Sequence, residues 1–176
     1  DLVGTGLIKD GVPKLYTPFA PAEKGTDSRD ELLHGQARAV ADPWDGQETR
    51  EAHFKKLINQ RFPQFEVRDL SPTLDAMRLI KSPKEIELIR KATQIAGLAL
   101  IEAMKSTKDG VYEYQLDAAA KYIYYQHGVQ GDGYAAIIGG GTNAFFGHYF
   151  QKKDVLKDGD LVLMDYAPDY HYYTSD

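Results

Sequence analysis

The sequence predicts an α+β chain, and three patterns carry that expectation. Apolar residues recur every three to four positions from about Asp27 to His127, as amphipathic helices require. Short apolar pieces broken by glycine and proline fill the first 24 residues. From Gly131 onward the chain turns to strand-favouring runs separated by glycine-rich loops.

In order, Leu2–Val3, Leu7–Ile8 and Leu15–Tyr16 read as edge strands between turns at Gly4, Gly6, Gly11, Pro13, Pro18 and Pro21. The Gly4 and Gly6 pair is too short for a dinucleotide fingerprint. Asp27 or Ser28 can cap a helix to Val40 with Leu32, Leu33, Ala37 and Val40 on one face. A loop at Asp42–Gly46 carries Trp44, expected as a packing anchor. A second helix spans Glu48–Phe62 with Phe54, Leu57 and Ile58 inward, and Pro63 stops it. Phe65–Val67 is then a short strand.

Ser71 and Pro72 open a short helix to Ile80. Ser82, Pro83 and Glu85 open a long one to about Lys105, with Ile86, Ile89, Thr93, Ala96, Leu100 and Met104 as its expected buried stripe. Small residues at Ala92, Ala96, Gly97 and Ala99 allow a neighbour to approach closely. A third helix covers Tyr112–His127 with Leu116, Ala119, Ala120 and Ile123 inward, and Gly128 terminates it. Tyr122, Tyr124 and Tyr125 read as packing and interface residues. Tyr134–Ile138 is a small buried strand leading into Gly139–Asn143. That loop has neither the lysine nor the following helix of a phosphate loop, so close backbone approach by a ligand is the expectation. Leu156–Asp160 is a turn.

Composition narrows the function. Hydrophobic residues make up 43% of 176, ample for a core. Net charge is −5 with a pI near 5.5, and no basic cluster stands out, which argues against a nucleic-acid partner. No apolar run approaches the roughly 20 residues that span a bilayer, so no membrane partner is expected. With no cysteine, any metal must be held by Asp, Glu and His, which suits Mn²⁺, Co²⁺ or Zn²⁺. A cytoplasmic location is expected, and a periplasmic or secreted one is compatible.

The chemistry concentrates in Gly147–Asp176, where His148, Asp165 and Asp176 are the candidates. Leu161–Met164 is an apolar run ending in Asp165, and Tyr170–Tyr173 is an aromatic run followed by Asp176. A hairpin turning between Tyr170 and His171 would set Asp165 opposite Asp176 on one face. Two opposed carboxylates are best tolerated with a cation between them, which is half of a metal site. Alone, His148 reads as a core or turn histidine and Asp176 as a solvated residue; the joint spacing changes that reading.

Asp165 and Asp176 are eleven residues apart and His148 lies seventeen before Asp165. This order of histidine, GDLVLMD, aromatic hairpin and SD resembles the pita-bread metallopeptidases, in particular the aminopeptidase P and prolidase branch. Ser71–Ile86 is similar to the entry of that branch's catalytic domain. The resemblance implies a pita-bread catalytic half over 71–176 and a partial or reduced accessory domain over 1–70. It implies two divalent metal ions, one chelated by Asp165 and both bridged by Asp176, with His148 contacting substrate. The implied reaction is hydrolysis of peptides with proline in the second position, usually by a homodimer.

The family's further histidine and two glutamates have no counterpart here. A lone chain of this length is therefore expected to be inactive, with the two metal ions held only once a carboxy-terminal half completes it in cis or in trans. Tyr166–Asp169 departs from the small pair usual after the first aspartate, which bears on substrate preference. A metal-free peptide- or protein-binding module and a creatinase-like hydrolase are the alternatives, and retention of both aspartates counts against them.

Overall fold

The computed structural model describes residues 12–21 and 29–175. The chain divides into two compact units, Asp1–Ile80 and Lys81–Asp176. The expected strands at Leu2–Val3 and Leu7–Ile8, the Gly4–Gly6 pair, the cap at Asp27 or Ser28, and Asp176 lie outside the described residues.

In the first unit β1 (Lys14–Thr17) pairs in parallel with β2 (Glu66–Asp69), Lys14 opposite Glu66 and Thr17 opposite Asp69. Three helices accompany them: α1 (Arg29–Val40), α2 (Arg50–Arg61) and α3 (Ser71–Leu79). The Thr49 hydroxyl caps α2 by accepting from Ala52 N at 3.2 Å. Asp69 fastens the strand ends, accepting from Phe19 N at 3.0 Å and Ser71 N at 2.9 Å. Arg29 grips Asp75 with two nitrogens, at 2.5 and 2.9 Å.

Two expectations fail in this unit. Helices α1 and α2 bury no described residue, and Phe54 is half exposed. Trp44 is 95% exposed, so it anchors nothing. Asp42 Oδ1 accepts from Trp44 N at 2.8 Å and Asp45 N at 3.2 Å, closing a tight turn with the indole at its outer edge.

The second unit begins with α4 (Pro83–Ser106) and α5 (Glu113–Gln126). A capping box starts α4: Ser82 Oγ accepts from Glu85 N, and the Glu85 carboxylate accepts from Ser82 N at 2.6 Å. The buried face of α4 is Ala92, Ile95, Ala99 and Ala103, displaced around the helix from the expected stripe. Ile86, Leu100 and Met104 are exposed. Large apolar residues nearly surround this helix, so periodicity did not choose the face. The alanines did, because they let α5 approach closely and close-packed contact outweighs side-chain size. On α5, Leu116, Ala120 and Tyr124 answer them, while Tyr122 and Tyr125 face outward.

Two apolar clusters form the core. Ile95, Ala99, Ala120, Tyr124 and Val129 make one; Val111, Leu116, Ile138 and Leu156 make the other. Met164 packs against both. Full burial of Ile95, Leu116 and Ile138 contributes roughly 1.5–3 kcal/mol each.

Four short strands follow: β3 (Gly131–Asp132), β4 (Ile137–Gly140), β5 (Val162–Asp165) and β6 (Pro168–Asp169). Strand β4 pairs antiparallel with β5, Ile137 opposite Asp165, and β3 pairs antiparallel with β6. Among the described residues Leu161–Met164 does not pair with Tyr170–Tyr173. Instead the chain leaves β5 at Tyr166, whose hydroxyl donates to Ala96 O at 2.9 Å, and passes through buried Ala167 into β6, which pairs with β3. The turn centres on His171 and Tyr172, with Tyr170 opposite Tyr173. Both central residues have left-handed φ, 51° and 68°, as a primed two-residue turn demands, and Asp169 Oδ1 steadies it from Tyr172 N at 2.8 Å. Among the described residues no helix is long and apolar enough to cross a membrane.

Candidate functional site

Burial alternates along β5. Val162 and Met164 turn to the core, while Leu161, Leu163 and Asp165 are exposed. Asp165 thus ends an apolar strand on its open face, opposite Ile137 in β4. Its carboxylate is not desolvated, so the penalty expected for burying it does not arise. Tyr134, 31 residues earlier, donates its hydroxyl to Asp165 Oδ1. A carboxylate offers about four acceptor positions, so one such bond leaves room for a cation or further donors.

His148 is exposed on the connection between a 3₁₀ turn, Gly141–Phe145, and β5. Its backbone is left-handed, with φ 55°, and its ring centroid lies 5.9 Å from that of Phe150. Phe145 and Phe146 just before it are strongly exposed. His148 and Asp165 share no hydrogen bond, and Asp176 falls outside the described residues. Among the described residues no three His, Asp or Glu side chains gather closely enough to hold a metal ion. Asp165, as an accessible oxygen donor on an open face, suits a divalent cation as one ligand of a larger set.

The glycine-rich segment differs in detail from its expected role. A Cβ on Gly139 would lie 2.8 Å from Asn143 O, and one on Gly140 would lie 2.1 Å from Leu156 Cδ2. The close approach these glycines permit is by the chain itself.

Two residues escaped sequence reasoning. Tyr134 looked like the start of a buried strand, and nothing in its neighbourhood marked a partner 31 positions away. Glu113 carries no mark in the sequence that sets it apart, yet it is 0% exposed. Its Oε1 accepts from Gly140 N at 2.8 Å and Asn143 Nδ2 at 3.0 Å; its Oε2 accepts from Tyr149 OH at 2.8 Å and Asp154 N at 3.1 Å. Burial pushes its pKa up, but these bonds outweigh burial and hold the carboxyl below its ordinary value. Nearby, Asp117 accepts from Lys121 at 3.2 Å and Lys152 at 2.6 Å, and Lys121 also reaches Asp132 at 3.0 Å.

Comparison with known proteins fits this arrangement. The sequence profile of metallopeptidase family M24 matches residues 87–176. The Xaa-Pro aminopeptidase of Haemophilus influenzae is 39% identical over 121 residues, covering 68% of this chain and 28% of that protein. The Xaa-Pro dipeptidase of Pyrococcus horikoshii is 31% identical over 111 residues, covering 63% of this chain and 32% of that protein. Aminopeptidase P from Escherichia coli, solved with the inhibitor Pro-Leu, superposes with a TM-score of 0.66 at 31% identity, covering 73% of this chain and 31% of that one. The chain therefore spans under a third of the length of each of these proteins. More than half of it matches the profile and its α+β architecture is that of aminopeptidase P, so the chain belongs to the pita-bread metallopeptidases of family M24.

Proposed function

We propose that this chain is part of a metal-dependent hydrolase that cleaves Xaa-Pro peptide bonds, as an aminopeptidase or dipeptidase. The observation that carries the reading is Asp165: an accessible carboxylate at the end of an apolar strand, oriented by Tyr134, on the face that the core leaves open. Asp165 and Asp176 would hold two divalent ions, Mn, Co or Zn, with further ligands from polypeptide outside this chain, in cis or in trans. When bound, the metals supply Lewis acidity toward the scissile carbonyl and a hydroxide nucleophile near neutral pH. Tyr134, by holding one oxygen of Asp165, limits the directions in which the other can bind. His148, exposed beside Phe145, Phe146 and Phe150, would donate a hydrogen bond to the peptide and orient it, with the aromatic rings flanking an apolar proline.

In this reading residues 71–176 form the first half of the catalytic domain and residues 1–70 part of an accessory domain. The working protein would be a homodimer. The test is made on the full-length protein: metal content of the purified sample, then hydrolysis of peptides carrying proline or alanine in the second position. About two equivalents of metal and proline-dependent cleavage support the reading. Metal-free protein that binds such peptides without cleaving them would overturn it in favour of a binding module.

A further inference from the structure

Two non-glycine residues on one short connection have left-handed backbones: His148, φ 55°, and Lys152, φ 49°. Such conformations are uncommon for residues with a Cβ and persist where the surroundings over-determine them. Here the surroundings are the first turn of α5. Tyr149 OH donates to Glu113 Oε2 at 2.8 Å, and Asp154 N donates to the same oxygen at 3.1 Å. Lys152 Nζ lies 2.6 Å from Asp117 Oδ2. Backbone bonds run alongside, from Tyr114 N to Lys152 O at 3.1 Å and from Glu113 N to Asp154 O at 3.0 Å. The Asn143 amide completes the network, its two protons shared among Glu113 Oε1, the Tyr149 hydroxyl and Asp154 Oδ2.

All of this anchoring falls on the neighbours of His148, before and after it. With Tyr149 drawn inward to Glu113 and a left-handed residue preceding it, the chain reverses so that His148 stands outside the network, exposed. A buried carboxylate held by neutral donors from four residues is a more directional clamp than apolar packing, because each bond fixes an angle as well as a distance.

We infer that Glu113, acting through Tyr149, is a positioning residue that sets the direction in which His148 presents its imidazole to substrate. The inference rests on His148 facing substrate in the proposed Xaa-Pro site. Tyr149→Phe tests it in the full-length protein, because it removes one hydroxyl and leaves Glu113 its other donors. Relative to wild type, kcat/KM for a peptide with proline second should fall about 10- to 100-fold, with metal content unchanged. On a His148→Ala background the same substitution should cost nothing further. An equal loss in both backgrounds, no loss in either, or a fully active His148→Ala protein overturns the inference.

The imidazole signals of His148 provide a readout that needs no activity. They should move in Tyr149→Phe while those of His34, His53 and His171 stay in place. Unmoved His148 signals overturn the inference. If the wild-type protein cleaves no proline peptide, the hydrolase reading falls, and these signals alone decide the positioning role.

Discussion

Replacing Glu113 by Gln should destabilise the second unit by about 2–4 kcal/mol at neutral pH, and the deficit should shrink in acid. The amide can keep its carbonyl toward Gly140 N and Asn143 Nδ2, the donors now on Oε1. Its NH₂ then occupies the Oε2 position. The Tyr149 hydroxyl can rotate to accept from it, but Asp154 N–H cannot and loses its acceptor. A bond to a charged group contributes roughly 1.5–3 kcal/mol, and leaving the part-buried Asp154 N–H unpaired adds up to about 1 kcal/mol, since water reaches that residue. The folded pKa of Glu113 lies below its ordinary value of 4.5, so its carboxylate stabilises the fold above that pH. This contribution fades as pH falls below 4.5 and through the folded pKa, where wild type becomes neutral like the variant. Amide-proton exchange at Gly140 and Asp154, with urea unfolding followed by circular dichroism at pH 7 and pH 3, measures the effect. Trp44 fluorescence would not, since it belongs to the first unit. A loss under about 0.5 kcal/mol at pH 7, or one that does not change with pH, refutes the clamp.

Other substitutions separate the remaining claims. Asp165→Asn in the full-length protein should reduce bound metal at least about tenfold, read by elemental analysis; undiminished metal removes Asp165 from the ligand set. Ile95→Ala should cost about 2–5 kcal/mol in urea unfolding and Leu100→Ala under about 1 kcal/mol, because Ile95 is fully buried and Leu100 is 42% exposed. Reversed magnitudes would restore the stripe expected from periodicity. Tyr124→Phe should leave stability unchanged or raise it by up to about 1 kcal/mol, since the buried Tyr124 hydroxyl has no hydrogen-bond partner among the described residues. A clear loss of stability would mean that this hydroxyl is satisfied, for instance by water.

Sequence alone located the second-unit helices well because their ends are written locally. Ser82, Pro83 and Glu85 form the capping box that α4 shows, and Gly128, with φ 76°, follows the last turn of α5 as a helix stop should. Which face of α4 is buried was not local. It depended on the partner helix, and an element apolar nearly all round carries no phase in its own pattern. Strand pairing failed for a similar reason. Leu161–Met164 and Tyr170–Tyr173 are adjacent in sequence and both strand-like, yet the partner of β5 is β4, more than twenty residues upstream.

The candidate site divides along the same line. His148, Asp165 and Asp176 stand out in the sequence as a candidate site by their joint spacing, which resembles that of the metallopeptidases. The residues that hold them were not legible, because Tyr134 reaches Asp165 across 31 positions and Glu113 reaches Tyr149 across 36. No periodicity connects such pairs, and only the folded chain brings them together. The open face has a physical consequence of its own. Leu161, just before β5, and Leu163 on it are exposed on the same open face as Asp165, and a further polypeptide resting on that face would cover them. Covering them would remove water from around Asp165 and strengthen its attraction for a cation. On the proposed reading, metal titration should then show affinity rising when a carboxy-terminal half is supplied, by more than the ligands of that half contribute.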